Sequence, residues 1–286
     1  MTHKRVLMTG SSSFTGAYVK LELSRQGYTF YDIDKSVDLR DYDKVVEMVT
    51  AVKPHYVIHL AALSFVGNTN INEIYETNLL GTTNLLRALD QADLSLKKVI
   101  LASTANLYGR VSGTITEQTL PSPVNHYGIS KYAMEMAAAQ WRDTLPLIIT
   151  RPFNYTGIGQ AGHFLVPKIV EHFRQKQDKI ELGNVDVSRD FSDVRDVARW
   201  YVELLGSEHT QLTVNLCSNT LISLRSIIEK LNDLAGYKIN IEVNPEFVRD
   251  NEIMELCGDN SLLQSVINIG KCNSINDTLQ WMYKAS

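Results

Sequence analysis

The stretch Arg5-Val-Leu-Met-Thr9-Gly10-Ser11-Ser12-Ser13-Phe14-Thr15-Gly16 decides how the rest of the chain is read. Five residues of strand character run into a turn of small residues, and a helical pattern follows over 15–26. Such a turn aims backbone N–H groups and the positive end of a helix at one spot, which suits a pyrophosphate. Gly10 fits the tight turn and Gly16 fits close packing of helix on strand. Ser13 stands where backbone has to approach phosphate, and Phe14 and Thr15 open the helix. A strand-to-helix turn of small residues is often only a turn. Its place at the first crossover makes it an expected dinucleotide site.

Outward from there the alternation continues. Residues 28–34, 56–60, 98–103 and 147–151 read as strands, and 41–52, 72–90 and 127–143 as helices. The strands are mostly apolar on both faces, as strands buried in a parallel sheet are. Gly27 falls where the first helix needs a left-handed cap. The fold expected is α/β: a Rossmann-type doubly wound parallel sheet, binding ligands at the carboxyl ends of its strands. After Arg151 the rhythm loosens into a Gly-rich loop, a helix over 164–176, an amphipathic segment over 194–205 and a strand over 213–216. Ser274 with Asp277 reads as a capped start of a last helix that carries Ile275, Leu279 and Met282 inward. Residues 1–155 are thus expected to be mainly the dinucleotide-binding part. Residues 156–286 form mainly a smaller C-terminal lobe, with 194–220 returning to the sheet.

The 286 residues are 44% hydrophobic and 21% charged, an ordinary globular composition, and a net charge of -4 gives no footprint for nucleic acid. Three cysteines without a CxxC pair point to reduced thiols rather than a disulfide framework. No apolar run is long enough for a signal-peptide core or a bilayer span, so no membrane partner and a cytoplasmic location are expected. The seven histidines show no metal-ligand spacing, and no catalytic metal is expected.

Three places carry chemistry. Asp34 closes the second strand, about 20 residues past the turn, where a carboxylate accepts the adenosine ribose hydroxyls. Lys35 beside it could instead meet a 2′-phosphate, so NADH and NADPH both stay open. Tyr127-Gly-Ile-Ser-Lys131 puts a phenol and an ammonium one helical turn apart on one face. Acid–base work near neutrality needs a phenol shifted by about three units, or ~4 kcal/mol, and a nearby ammonium supplies part of that. Ser103-Thr104 ends the fourth strand, so a hydroxyl there faces the same crevice and can hold a carbonyl oxygen beside the tyrosine. His59 reads as a packed strand residue, and His126 points away from its neighbour Tyr127.

Together these pieces resemble, over nearly the whole chain, the extended short-chain dehydrogenase/reductases of the NAD-dependent epimerase/dehydratase family that modify sugar nucleotides. On that resemblance Leu60, Ala61, Ala62 and Ser64 run along the cofactor, Asp38 and Leu39 lie beside it, and Ser64 also reaches the substrate. Thr104, Tyr127 and Lys131 fall on the catalytic positions. Arg151-Pro-Phe-Asn154 matches the fifth-strand signature whose asparagine lies near the substrate diphosphate. The segment beginning Arg189-Asp-Phe matches one whose arginine grips that diphosphate. Arg249 and Glu252 match a late segment meeting phosphate and nucleotide ribose.

The branch most similar is that of the GDP-6-deoxy-mannose reductases and GDP-mannose dehydratases. Dehydratases of that branch carry a glutamate where this chain has Asn106, which cannot act as a base, and the second crossover is short. Both features favour a reductase. The implied reaction is hydride transfer from NAD(P)H to the keto carbon of a 4-keto-6-deoxy sugar nucleotide, GDP leading, with CDP or dTDP as alternatives. Tyr127 supplies the proton, Lys131 lowers its pKa and binds the nicotinamide ribose, and Thr104 orients the carbonyl with Asn106 nearby. The competing readings are an epimerase on the same scaffold and a non-catalytic NAD(P)-sensing protein. The resemblance also implies a homodimer through the helices at 72–90 and 127–143.

Overall fold

The computed structural model describes residues 4–32, 37–64, 70–111, 113–247 and 254–285. Its first elements are β1 (Arg5–Thr9), α1 (Phe14–Arg25), β2 (Thr29–Asp32), α2 (Tyr42–Val52) and β3 (Tyr56–His59). A short α3 (Ile71–Tyr75) and α4 (Thr82–Gln91) follow, joined by a π turn over Glu76–Gly81. Next come β4 (Lys98–Ala102), a 3-10 turn at Ala105–Tyr108, β5 (Thr114–Ile115), α5 (His126–Ala138), β6 (Leu147–Pro152) and β7 (Asn154–Thr156). The chain continues with α6 (Leu165–Arg174), β8 (Lys179–Leu182), β9 (Ser188–Asp193), α7 (Val194–Gly206) and β10 (Leu212–Leu216). It closes with β11 (Leu221–Ser223), α8 (Leu224–Ala235), β12 (Asn240–Val243), β13 (Glu255–Gly258), α9 (Ser261–Val266) and α10 (Ile275–Lys284).

Six parallel strands form the main sheet in the order β2-β1-β3-β4-β6-β10. The chain winds outward in both directions from β1 and β3, so the crevice above their carboxyl ends is the switch point where such sheets bind ligands. Alternation within the strands sorts two cores. Val6, Met8, Ile58, Ile100 and Ile148 face α1 and α7, while Leu7, Val57, Val99, Leu101 and Ile149 face α2, α4 and α5. Burial of each such side chain stabilises the fold by about 1.5–3 kcal/mol. β2 departs from the two-sided apolar pattern: it is an edge strand and Thr29, Tyr31 and Asp32 are exposed.

Local signals set the ends of these elements. Gly27 adopts φ +73° after α1, the left-handed position expected of it. Ser274 and Asp277 form a reciprocal capping box, with Leu279 and Met282 buried behind it and Ile275 partly so. The helix expected without interruption over 72–90 is broken by the π turn. The helix expected to reach 143 stays α-helical only to Ala138 and tightens into a 3-10 turn at Ala139–Trp141.

A second sheet has the order β11-β9-β13-β5, with β7 also pairing β9, and β8 pairs β12 apart from it. A separate core of α6, α8, α10, β8 and β12 lies beneath. Ala105, Leu107, Tyr108, Ile115, Phe153, Cys217 and Leu256 form a small apolar cluster that joins the second sheet to the main one. All three cysteines are free thiols. Among the described residues no helix is long and apolar enough to cross a membrane.

Candidate active site

The turn after β1 is built for close approach. Gly10 has φ +70°, and a Cβ there would lie 2.7 Å from the Ala61 nitrogen; at Gly16 it would lie 2.3 Å from the Gly10 oxygen. Only glycine lets β1, α1 and the segment after β3 converge. Ser13 has no need to be glycine: its φ is -72°, and its hydroxyl accepts the Gly16 N–H at 3.0 Å as the helix cap. No acidic residue occupies the first turn of α1, so its positive end remains available to an anion. Phe14 stacks on Tyr155 with ring centroids 6.1 Å apart, and the Thr15 hydroxyl meets the Tyr155 phenol at 2.7 Å.

Leu60, Ala61 and Ala62 are half-buried beside this turn and Ser64 is exposed. A chain of buried hydrogen bonds fixes their backbone. The Thr82 hydroxyl donates to the Asn78 carbonyl at 2.8 Å and so accepts from His59 Nε2–H, also at 2.8 Å. His59 Nδ1 is left as an acceptor for the Thr9 hydroxyl at 2.7 Å, and the Thr9 oxygen takes the Ala61 N–H at 3.1 Å. Burial, with the Lys131 charge adding, pushes the imidazole down to about 3, so this relay is neutral. His59 is thus packed as expected, and it also orients the cofactor-side segment.

Asn78 extends the arrangement. It sits on the π turn with no exposure, accepts the Leu63 N–H at 2.8 Å, and donates to the Leu63 carbonyl at 3.1 Å and the Ser130 hydroxyl at 3.0 Å. Ser130 in turn donates to the Tyr127 carbonyl at 2.8 Å. One amide therefore ties the Leu60–Ser64 segment to the helix bearing Tyr127 and Lys131. Sequence reasoning missed Asn78, because nothing in the helical pattern marks a π turn. Such turns recur at functional sites.

Thr104, Tyr127 and Lys131 are brought together at the carboxyl edge of β4, all nearly fully buried. Gly128 permits it: a Cβ there would lie 2.9 Å from the Asn106 carbonyl, so α5 sits directly on the 3-10 turn. The electrostatics differ from expectation. Burial raises the Tyr127 phenol above its ordinary value, and the neighbouring Thr104 hydroxyl pulls it part of the way back. Lys131 donates to the Ala102 carbonyl at 2.6 Å, and burial brings its ammonium down to about 8, with Glu135 partly opposing. Desolvation of the phenol outweighs the help expected from the lysine. The Thr104 oxygen also accepts from the Asn106 N–H and from its Nδ2, both at 3.1 Å. Ser103, beside Thr104, has a buried hydroxyl with no partner among the described residues. His126 turns away to the Tyr75 hydroxyl at 3.2 Å.

On the other side of the crevice, the amide nitrogen of Asn154 is buried without a partner among the described residues. Arg189, on β9, donates to the Ser188 and Met254 carbonyls at 2.9 and 3.2 Å. Its neighbour Asp190 has no exposure and accepts the Ser218 N–H at 2.8 Å and the Ser218 hydroxyl at 2.7 Å. Asp190 thereby pins the end of β10 to the second sheet, a role that the motif alone did not reveal. Asp38 is paired with Arg40 at 2.6 Å on the surface, and the Leu39 side chain belongs to the core, leaving only its backbone for a ligand. Asp34, Lys35, Arg249 and Glu252 lie outside the described residues. The glycine cradle, the bare N-terminus of α1 and the unpartnered polar atoms of Ser103 and Asn154 fit a bound dinucleotide and a polar substrate.

Comparison with known proteins agrees with this geometry. The family described as GDP-mannose 4,6 dehydratase matches residues 35–282. The chain belongs to that family. GDP-6-deoxy-D-talose 4-dehydrogenase of Aggregatibacter actinomycetemcomitans is 35% identical over 98% of this chain and 97% of its own length. GDP-6-deoxy-D-mannose reductase of Pseudomonas aeruginosa is 31% identical over 91% of this chain and 90% of its own. The solved structure of RMD from Pseudomonas aeruginosa, complexed with NADPH, superposes with a TM-score of 0.90 at 28% identity, covering 98% of this chain and 96% of that one. This family member is an NAD(P)-dependent oxidoreductase with a Rossmann-type fold, as the resemblance implied.

Proposed function

We propose that the protein reduces the C4 carbonyl of a GDP-linked 4-keto-6-deoxyhexose at the expense of NAD(P)H. The observation that carries this reading is the meeting of Thr104, Tyr127 and Lys131 at one strand edge, with Asn106 rather than an acid beside them. Both named relatives act on GDP-6-deoxyhexoses, and one name specifies C4. Mannose and talose differ in configuration at C4, so a single 4-keto compound connects the two sugars. Which face the hydride meets then sets the product.

Bound NAD(P)H supplies the hydride. The Gly10–Gly16 turn, with Ser13, Phe14 and Thr15, holds the pyrophosphate against the N-terminus of α1, and Asp34 with Lys35 meets the adenosine ribose. Leu60, Ala61, Ala62 and the Asp38–Leu39 backbone line the cofactor. Tyr127 gives its phenolic proton to the carbonyl oxygen as that oxygen gains charge, and Lys131 holds the nicotinamide ribose and stabilises the phenolate left behind. Ser64, Thr104 and Asn106 face the sugar, while Asn154, Arg189, Arg249 and Glu252 hold the diphosphate and nucleoside. Residues 1–155 thus serve mainly the dinucleotide and 156–286 mainly the sugar nucleotide, with 194–220 returned to the first part. Leu80, Ile129 and Met136 are exposed apolar residues on the π turn and α5, which supports a homodimer across those helices.

Reduced-nicotinamide absorbance tests the reading. It should fall mole for mole with added GDP-4-keto-6-deoxy-mannose, with GDP-mannose inert. Sugar conversion without net coenzyme consumption would move the assignment to an epimerase, and coenzyme binding without any turnover would move it to a sensor.

A further inference from the structure

We infer that Arg151 is a positioning residue that keeps Glu135 from capturing the Lys131 ammonium, so that Lys131 stays aimed into the crevice. Lys131 and Glu135 stand four residues apart on α5, the spacing at which opposite charges on a helix are neighbours. Both are buried, and a buried carboxylate left without a partner is costly, so it takes any cation in reach. Yet the two do not pair with each other. Arg151 takes both Glu135 oxygens, donating from Nε to Oε1 at 3.0 Å and from Nη2 to Oε2 at 2.7 Å. Lys131 Nζ goes instead to the Ala102 carbonyl at 2.6 Å.

Strand alternation puts the guanidinium there. Ile149 packs toward α5, and Arg151, two residues on in β6, faces the same side. Its remaining Nη1 donates to the Tyr108 hydroxyl at 3.0 Å and the Glu117 carbonyl at 3.3 Å, and Tyr108 gives its own proton to Asn215 Oδ1 at 2.7 Å. The fork is thus held from behind, and a point charge could not replace it. The other ionisable groups at Lys131 do not compete for it. His59, at the end of β3, is neutral, and burial keeps Tyr127, on the same face of α5, protonated. Glu135 is the carboxylate whose charge reaches the ammonium. An ammonium has three donors, so with one on Ala102 two remain for the crevice. The consequence for the coenzyme rests on the nicotinamide-ribose role proposed for Lys131: a lysine drawn back onto Glu135 would lose those contacts.

Two measurements test the assignment, the first without coenzyme. In a crystal structure of Arg151→Met, Lys131 Nζ should leave the Ala102 carbonyl and lie at ion-pair distance from Glu135, and adding Glu135→Gln should return it to Ala102. A lysine still on Ala102 in the single variant would overturn the proposal. In the second, coenzyme affinity from fluorescence titration should fall by about 3- to 10-fold in Arg151→Met and recover when Glu135→Gln is added. Made on a Lys131→Met background, Arg151→Met should cost nothing further. Equal losses on both Lys131 backgrounds would show a purely structural ion pair and refute the assignment. Should Arg151→Met fail to fold, Arg151→Lys keeps a cation without the fork and is judged by the same outcomes, with smaller effects expected. If Lys131→Met leaves coenzyme affinity unchanged, the ribose role fails, and the first measurement still decides what Arg151 does.

Discussion

The two walls of the crevice are held in different ways. On the cofactor side, backbone meets backbone through glycines. A neutral chain of hydrogen bonds, from Ala61 through Thr9, His59 and Thr82 to Asn78, locks the wall without any charge. On the opposite side, the short strands of the second sheet meet the end of β10 through an apolar cluster, through Asn215, and through a buried carboxylate, Asp190, whose burial pushes its pKa up. The first wall is fixed by bonds made within the protein itself. The second includes a buried carboxylate that is costly unless it keeps its partners. Substitutions should therefore separate the two walls kinetically.

Tyr127→Phe removes the group the two walls share and should have the largest effect. We expect kcat to fall by about 10³-fold or more with coenzyme affinity nearly intact, checked by steady-state rates and by fluorescence titration of the coenzyme. Next, Asp190→Ala and Asn78→Ala should act in opposite places. Without Asp190 the Ser218 N–H loses its partner, and the KM for the nucleotide sugar should rise about 10-fold while coenzyme affinity holds. Without Asn78 the Leu63 backbone is released, and coenzyme affinity should fall by a similar factor. If both variants weakened both ligands equally, the distinction between the walls would collapse.

Gly128→Ala should cost somewhat less. The new Cβ would press on the Asn106 carbonyl at 2.9 Å, moving α5 off the Thr104 turn. We expect kcat to fall several-fold with both affinities unchanged. The smallest effect is on stability. Lys131 has its pKa lowered from 10.5 to about 8 by burial, so the unfolded chain holds that proton more tightly than the folded one. The unfolding free energy of the free protein should therefore rise between about pH 8 and 10.5 and be flat, for this group, below pH 8. Relative to Lys131→Met the gain across that window is on the order of 2–3 kcal/mol. Chemical denaturation of both proteins at pH 7.5 and 10.5 would show it, and parallel changes in the two would refute it.

What was legible in the sequence follows the same division. The strand, turn and helix around Gly10, the pair Tyr127 and Lys131, and the capping box at Ser274 are contiguous signals, and the structure has them in place. The second sheet was not read, because β5, β7 and β11 have only two or three residues each, too few to show a period, and they pair across long separations. Asn78 escaped notice because a π turn looks like continuous helix. The expected action of Lys131 on Tyr127 came from sequence spacing. Spacing reports which face a residue shares and says nothing about how strongly burial opposes charge there.

On the proposed function, hydride passes from added coenzyme to C4 of the sugar. Coenzyme deuterated at C4 of the nicotinamide, incubated with GDP-4-keto-6-deoxy-mannose, tests it most directly through NMR of the product. One deuterium at sugar C4 and one coenzyme oxidised per sugar reduced are expected, in either the manno or the talo configuration. Product carrying no deuterium at C4, or formed without coenzyme oxidation, would contradict it.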